Sequence, residues 1–182
     1  MLTGTYLSLS QSGSPRVLAA EVIRLRHVGE RLKGSIMARA EFTLGESGDI
    51  ENSTQAVATY RYTGRMRARQ VLISYWSTTK PSQNGGTMTM ALGVDGMTFH
   101  GIWCGTATNG QVTSGPCMWI KNARNNLEGT SVENLAETTQ VLLRSIENPW
   151  REIDWPSIRM SKLLFLDQAM DALARLETET DD

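Results

Sequence analysis

Residues 87–105 read TMTMALGVDGMTFHGIWCG, two alternating runs joined by Asp95-Gly96, and this stretch decides the fold. Alternation with a period of two marks a half-buried strand. Asp-Gly between two such runs is a strong hairpin signal, because a two-residue type I′ turn needs positive φ at both central positions. With Asp95-Gly96 as the turn, facing residue numbers sum to 191, so Phe99 opposes Leu92, Gly101 opposes Met90 and Trp103 opposes Met88. Asn109-Gly110 gives the next hairpin in the same way. Its facing numbers sum to 219, which adds Met118 and Ile120 to a surface of Met88, Met90, Leu92, Phe99 and Trp103. That surface is the expected interior. The other face, with Thr87, Thr89, Thr98, His100, Cys117 and Lys121, is the expected outer wall.

Upstream, Val28-Gly29-Glu30-Arg31 and Tyr62-Thr63-Gly64-Arg65 read as further short turns, and polar connections fall at 11–15, 44–53 and 77–86. The strands are expected near Gly4–Ser10, Val17–His27, Arg31–Ala40, Gln55–Tyr62, Arg65–Trp76, Thr87–Val94, Met97–Gly105 and Val112–Lys121. Every connection is short enough to be a hairpin, so the simplest topology is a meander. The expected fold is all-β, an eight-stranded antiparallel up-and-down barrel with a C-terminal helical appendage. Closure removes two exposed edges and encloses a space that side chains or one small ligand can fill. A two-sheet sandwich is the alternative.

Periodicity shifts toward 3.6 after about Asn122, giving two expected domains, a barrel over 1–121 and a helical appendage over 122–182. Thr130-Ser131-Val132-Glu133 fits a capping box, with Val132, Leu135, Leu142 and Ile146 following at helical spacing. A second helix starts at Asp154-Trp155-Pro156, with Leu163, Leu166, Met170 and Leu173 as its stripe. These helices are expected to cover the barrel wall or to pair with a second copy.

The 182 residues are 40% hydrophobic and 20% charged, with a net charge of -1, an ordinary globular composition. That charge argues against a generally basic nucleic-acid coat, so no DNA or RNA polymer is expected as a partner. It conceals an asymmetry, with 12 Lys/Arg against 7 Asp/Glu over 1–121 and 6 against 12 over 122–182. No apolar run is long enough to span a membrane, and MLTGTYLSLS lacks the regions of a secretory signal. The expectation is a soluble, cytoplasmic chain without a membrane partner, its two cysteines, Cys104 and Cys117, reduced. Both cysteines fall on the outer parity of neighbouring strands.

Enzyme motifs are missing: the chain contains no GxSxG, GxxxxGK[ST], HExxH or CxxC. Its two histidines, His27 and His100, lie in strand-like runs, and no spaced ligand set calls for a metal or cofactor. The expectation is therefore a non-enzyme without cofactor; Glu21 and His27 are the candidate acid or base should the cavity be catalytic. The most informative local feature is the run Tyr60-Arg61-Tyr62-Thr63-Gly64-Arg65-Met66-Arg67-Ala68-Arg69. With Thr63-Gly64 as a two-residue turn, Tyr62 opposes Arg65 and Tyr60 opposes Arg67. One face then carries two stacking rings and the guanidiniums of Arg65, Arg67 and Arg69, chemistry that suits a nucleotide-like anion. The ordinary alternative is an exposed hairpin with solvated arginines. Met90, Phe99 and Trp103 either fill the interior or shape the apolar end of a ligand cavity.

Gly4-Thr5-Tyr6, then Glu21-Val22-Ile23-Arg24-Leu25 before Gly29 and Gly34, open a longer pattern. It continues through Tyr62-Thr63-Gly64, Tyr75-Trp76-Ser77, Gly86 and Phe99-His100-Gly101-Ile102-Trp103-Cys104-Gly105 to Gly115 and Trp119. This pattern over about 4–121 resembles the calycin-like small β-barrels, a lipocalin-like architecture. Within them it is similar to the ligand-sensing barrel of bacterial anti-phage CBASS effectors. Those effectors place transmembrane helices beside the barrel, and this chain has none. The resemblance implies a barrel that binds a small anionic signal such as a cyclic nucleotide, and binding that changes assembly. The functional expectation is a small-ligand sensor or binding module in which Tyr60, Tyr62, Arg65 and Arg67 hold the anion and a base. The alternative is an interaction protein with a filled barrel, whose C-terminal helices form a homo-oligomer or recruit a partner.

Overall fold

The computed structural model describes residues 2–11, 17–46, 49–56, 59–79, 84–94, 96–106, 110–122 and 131–145, without the side chains of 132 and 141–145. Nine strands precede one helix among them: β1 (Gly4–Gln11), β2 (Val17–Val28), β3 (Arg31–Leu44), β4 (Ile50–Gln55), β5 (Tyr60–Arg67), β6 (Gln70–Ser77), β7 (Gly85–Leu92), β8 (Thr98–Thr106), β9 (Val112–Asn122) and α1 (Val132–Ser145). Neighbours follow the order β2-β1-β9-β8-β7-β6-β5-β3, and pairing of β2 with β3 closes the circuit. The result is the expected eight-stranded antiparallel up-and-down barrel. β4 lies outside the circuit, paired with Ala40–Leu44 of β3 where β5 has diverged from it. The expected strand Gln55–Tyr62 is thus divided between the end of β4 and the start of β5.

Three register features decide which side chains face inward. The 191 sum predicted for β7 and β8 is found, with Leu92 opposite Phe99 and Met88 opposite Trp103. Between β8 and β9 the sum is 218, not 219, because the whole stretch 107–111 connects them rather than Asn109-Gly110 alone. A one-residue slip exchanges the faces of a strand. Cys117 and Trp119 therefore point inward, and Met118 and Ile120 outward. The two cysteines are separated by the same slip, Cys117 buried inside and Cys104 exposed outside.

The second correction concerns β5 and β6. Thr63-Gly64 is not a turn; it lies within β5, and the turn is Ala68-Arg69, with Tyr62 opposite Tyr75 and Arg65 opposite Leu72. Glycine is needed at 64 for close approach: a Cβ there would meet the Leu72 carbonyl oxygen, and Ile73 Cγ1 at 2.9 Å. Ala68 takes the turn conformation instead, at φ 54°. The third feature is a bulge. Val22 pairs with Ala38 and Ile23 with Ile36, so Met37 is an extra residue on β3. Inward positions on β3 change from Leu32, Gly34 and Ile36 to Arg39 and Glu41.

Two apolar clusters follow from this parity. The inner one is packed at the end where β1 starts, with Tyr6, Leu25, Leu32, Val71, Phe99 and Trp119 all at 2% exposure or less. Burying a side chain such as Phe99 contributes about 1.5–3 kcal/mol. The outer cluster lies on the opposite side of the wall, where Leu7, Leu9, Val22, Phe42, Met118 and Ile120 pack with Leu135 of α1. Ser131 caps α1: its hydroxyl accepts the Asn134 N–H at 3.2 Å. Gln140 fastens the helix to β4, its Oε1 accepting the Ile50 N–H at 2.6 Å and its Nε2 donating to Asp49 at 3.0 Å. The expected second helix lies outside the described residues. Among those described, no helix is long and apolar enough to cross a membrane.

Candidate functional site

The end of the barrel where β1 finishes and β5 begins is not filled. It forms an open cup of about 280 Å³ lined by residues from all eight barrel strands. Its charged side comes from β2 and β3. Glu21 interrupts the apolar run of β2 at an inward position, and the Met37 bulge turns Arg39 toward it from β3. Arg39 Nη1 lies 3.3 Å from Glu21 Oε1, and Nη2 donates to Glu41 Oε1 at 2.9 Å. Glu21 Oε2 accepts the Tyr62 hydroxyl at 2.8 Å and meets Ser8 Oγ at 3.5 Å. One guanidinium is thus held between two carboxylates, and the cup is acidic by one charge.

The aromatic side comes from β5, β6 and β8. Tyr60 and Tyr75 meet edge to face at 5.6 Å, and the Arg39 guanidinium lies 5.0 Å from the centre of the Tyr60 ring. Glycines give these rings room. The Tyr75 hydroxyl lies against Gly86 and Gly105, where a Cβ would collide with it. The indole of Trp103 lies over Gly115 and donates its Nε1–H to the Gln11 carbonyl at 2.9 Å. Below the cup the rings continue into the packed half. Tyr62 meets Trp119 at 5.3 Å, Trp119 meets Phe99 at 6.2 Å, and Phe99 meets Tyr6 at 5.7 Å.

Burial and charge fix the protonation states. Burial raises the Tyr62 phenol well above its ordinary value, the Glu21 carboxylate raises it further, and Arg39 opposes them. Tyr75 is raised by burial first, then by Tyr60 and Glu21. Burial works against the charge on Arg39, but Glu21, Tyr60 and Glu41 more than offset it, so the guanidinium stays charged. Cys117 is raised by burial and by Glu21, which makes it a poor nucleophile. Among the described residues the buried Arg39 Nε meets no acceptor. The cup therefore presents carboxylate oxygens to a donor. Among the described residues no three His, Cys, Asp or Glu side chains are grouped to hold a metal ion.

The sequence-predicted site residues are dispersed. Tyr60, Tyr62 and Trp103 line the cup. Met90 and Phe99 sit in the packed half, each at 2% exposure or less. Arg65 and Arg67 are exposed on the opposite face of β5 from the tyrosines, because the strand runs straight through Thr63-Gly64. The predicted face uniting two tyrosines with three arginines is not formed. His27 lies at the other end of β2 from Glu21, where its N–H donates to Thr3 Oγ1 at 3.1 Å. Sequence reasoning offered Glu21 only as an acid or base and missed Arg39, Glu41 and Tyr75. A lone carboxylate in the run Val17–Leu25 was the available signal, whereas Arg39 was hidden by the bulge. Comparison with known proteins finds no match of the chain to a family model, to a curated protein or to a solved structure.

Proposed function

We propose that this chain is a small-ligand binding module whose site is the cup. The observation that supports the reading is the division of the barrel interior. One half is packed with apolar and aromatic side chains, while the other stays open and carries the Glu21–Arg39–Glu41 group beside Tyr60, Tyr75 and Trp103. An open pocket with a few convergent polar groups on a rigid scaffold is where a small molecule binds. A volume of about 280 Å³ is at the small end of ligand pockets, which favours a molecule the size of a nucleobase or a monosaccharide. Two carboxylates against one guanidinium favour a ligand that brings hydrogen-bond donors or a positive charge. The cyclic-nucleotide form of the reading, with anti-phage signalling as its setting, draws its support from the resemblance in strand and glycine rhythm. The cup's chemistry supports the neutral or cationic ligand instead.

A thermal-shift screen tests this, using nucleobases, nucleosides, monosaccharides, small amines and cyclic dinucleotides. A ligand at 100 times its dissociation constant stabilises the fold by about 2.7 kcal/mol. The expected result is a hit among the small neutral or cationic compounds, abolished by Tyr60→Ala and retained by Arg65→Ala and Arg67→Ala. A hit restricted to cyclic dinucleotides and abolished by Arg65→Ala would move the site to the outer face of β5. No hit in any class would favour the alternative, an interaction protein that acts through its C-terminal residues.

A further inference from the structure

The outer face of β2, β3 and β5 carries charge that the cup does not use. Arg24 and Arg26 project from β2, Arg31 and Lys33 from β3, and Arg61 and Arg65 from β5, all exposed and on the face opposite the interior. The register places them side by side. Arg26 faces Lys33, Arg31 faces Arg65, and Ser35 lies between Arg24 and Arg61. Alternate residues are about 7 Å apart along a strand and neighbours about 5 Å apart across strands, so six cations occupy a field roughly 15 Å on a side. Among the described residues, no carboxylate occupies an outward position on β5 to β8 or between 24 and 35 apart from Glu30 in the β2–β3 turn.

Like charges placed directly opposite each other weaken a sheet. The Arg26–Lys33 and Arg31–Arg65 pairs are therefore an unfavourable arrangement that a bound polyanion would relieve. Five of the six cations are arginines, whose planar forks fit phosphate oxygens better than ammonium groups do. On the adjoining strand, in register with the arginines, stand two exposed apolar side chains: Trp76 opposite Arg61 and Leu72 opposite Arg65, at 43% and 59% exposure. Guanidiniums alternating with an exposed indole on a strand surface match the needs of single-stranded nucleic acid, phosphates on the forks and a base on the ring. The absence of a polymer partner was inferred from net charge, an average that does not describe this wall. The geometry points to a single-strand nucleic-acid binding face on the outside of β2, β3, β5 and β6, separate from the cup and independent of its ligand.

The experiment is fluorescence anisotropy of a labelled 20-nucleotide single-stranded RNA of mixed sequence with the full chain. Saturable binding is expected at 50 mM salt, weakened at least tenfold at 200 mM as counterion release requires. Arg65→Glu should weaken binding at least tenfold while raising the thermal midpoint, because it sets a carboxylate opposite Arg31. Arg61→Glu should weaken binding comparably, Trp76→Ala should weaken it severalfold, and the cup variant Tyr60→Ala should leave it unchanged. No saturable binding at 50 mM salt, or native affinity in both charge-reversal variants, would overturn the proposal. So would tighter binding to vesicles of anionic lipid than to RNA, which would make the wall a membrane face.

Discussion

Tyr62 donates a 2.8 Å hydrogen bond to Glu21 across 41 residues of sequence, joining β5 to β2 inside the barrel although the two strands are not neighbours. The bond matters because both groups are withdrawn from water, Tyr62 at 2% exposure and Glu21 at 5%. It holds the carboxylate in place at the floor of the cup.

Tyr62→Phe removes that donor and leaves a buried carboxylate oxygen with only the longer Ser8 contact. Hydrogen bonds to charged groups contribute about 1.5–3 kcal/mol, and a loss of that size is expected in urea unfolding at pH 7. Tyr75→Phe serves as the comparison. Among the described residues its hydroxyl makes only a 3.5 Å contact with the Cys104 carbonyl, and the expected loss is under about 1 kcal/mol.

The Glu21–Arg39 pair yields a double-mutant cycle. Arg39→Met strands a buried carboxylate and is expected to cost about 3–5 kcal/mol, whereas Glu21→Gln with Arg39→Met should cost less than the sum of the single changes. Simple additivity in chemical denaturation would mean that the 3.3 Å contact contributes nothing.

Alkaline pH should unfold the barrel more readily than its core size suggests. Tyr6, Tyr62 and Tyr75 all have phenols raised from an ordinary value near 10 by burial, and the Cys117 thiol is raised from near 9 for the same reason. Below about pH 9 these groups are neutral in both states and their contribution is intact. Above that the unfolded chain releases protons that the folded barrel retains, so stability falls as pH rises. Tyr62 alone should contribute on the order of 1.4 kcal/mol per pH unit above pH 10. Urea midpoints between pH 8 and pH 11 should show this decline, with a shallower slope in Tyr62→Phe. A flat profile would show that the phenols are hydrated.

Ala68 holds a left-handed conformation in the β5–β6 turn, at φ 54°. That conformation costs an L-residue roughly 1–2 kcal/mol and glycine much less, although glycine loses more entropy on folding. Ala68→Gly should therefore stabilise the protein by about 0.5–1 kcal/mol in thermal or urea unfolding.

How much of this was legible in the sequence depended on what each glycine was for. Asp95-Gly96 signalled a turn and fixed the register of β7 and β8 correctly. Gly64 and Gly105 serve close approach, one to the backbone of β6 and the other to the Tyr75 ring. Treating Gly64 as a turn residue moved Arg65 and Arg67 onto the tyrosine face. Gly110 does have positive φ, at 81°, but it lies within the longer 107–111 connection. The resulting slip exchanged Met118 and Ile120 for Cys117 and Trp119. Pattern alone gave the class, the closure and most of the strands, because period-two alternation survives such errors. It could not give the cup, because Arg39 and Glu41 reach the interior only through the Met37 bulge, and nothing local in that segment announces one.

The most direct test of the cup follows the indole N–H signals of the five tryptophans by two-dimensional NMR while the best screening hit is titrated into the protein. Trp103 reports the cup, where its Nε1–H is bonded to the Gln11 carbonyl, and Trp76 reports the outer wall. The expected result is a saturable shift of the Trp103 signal with Trp76 unmoved. A shift of Trp76 with Trp103 unmoved would contradict the assignment of the cup as the binding site.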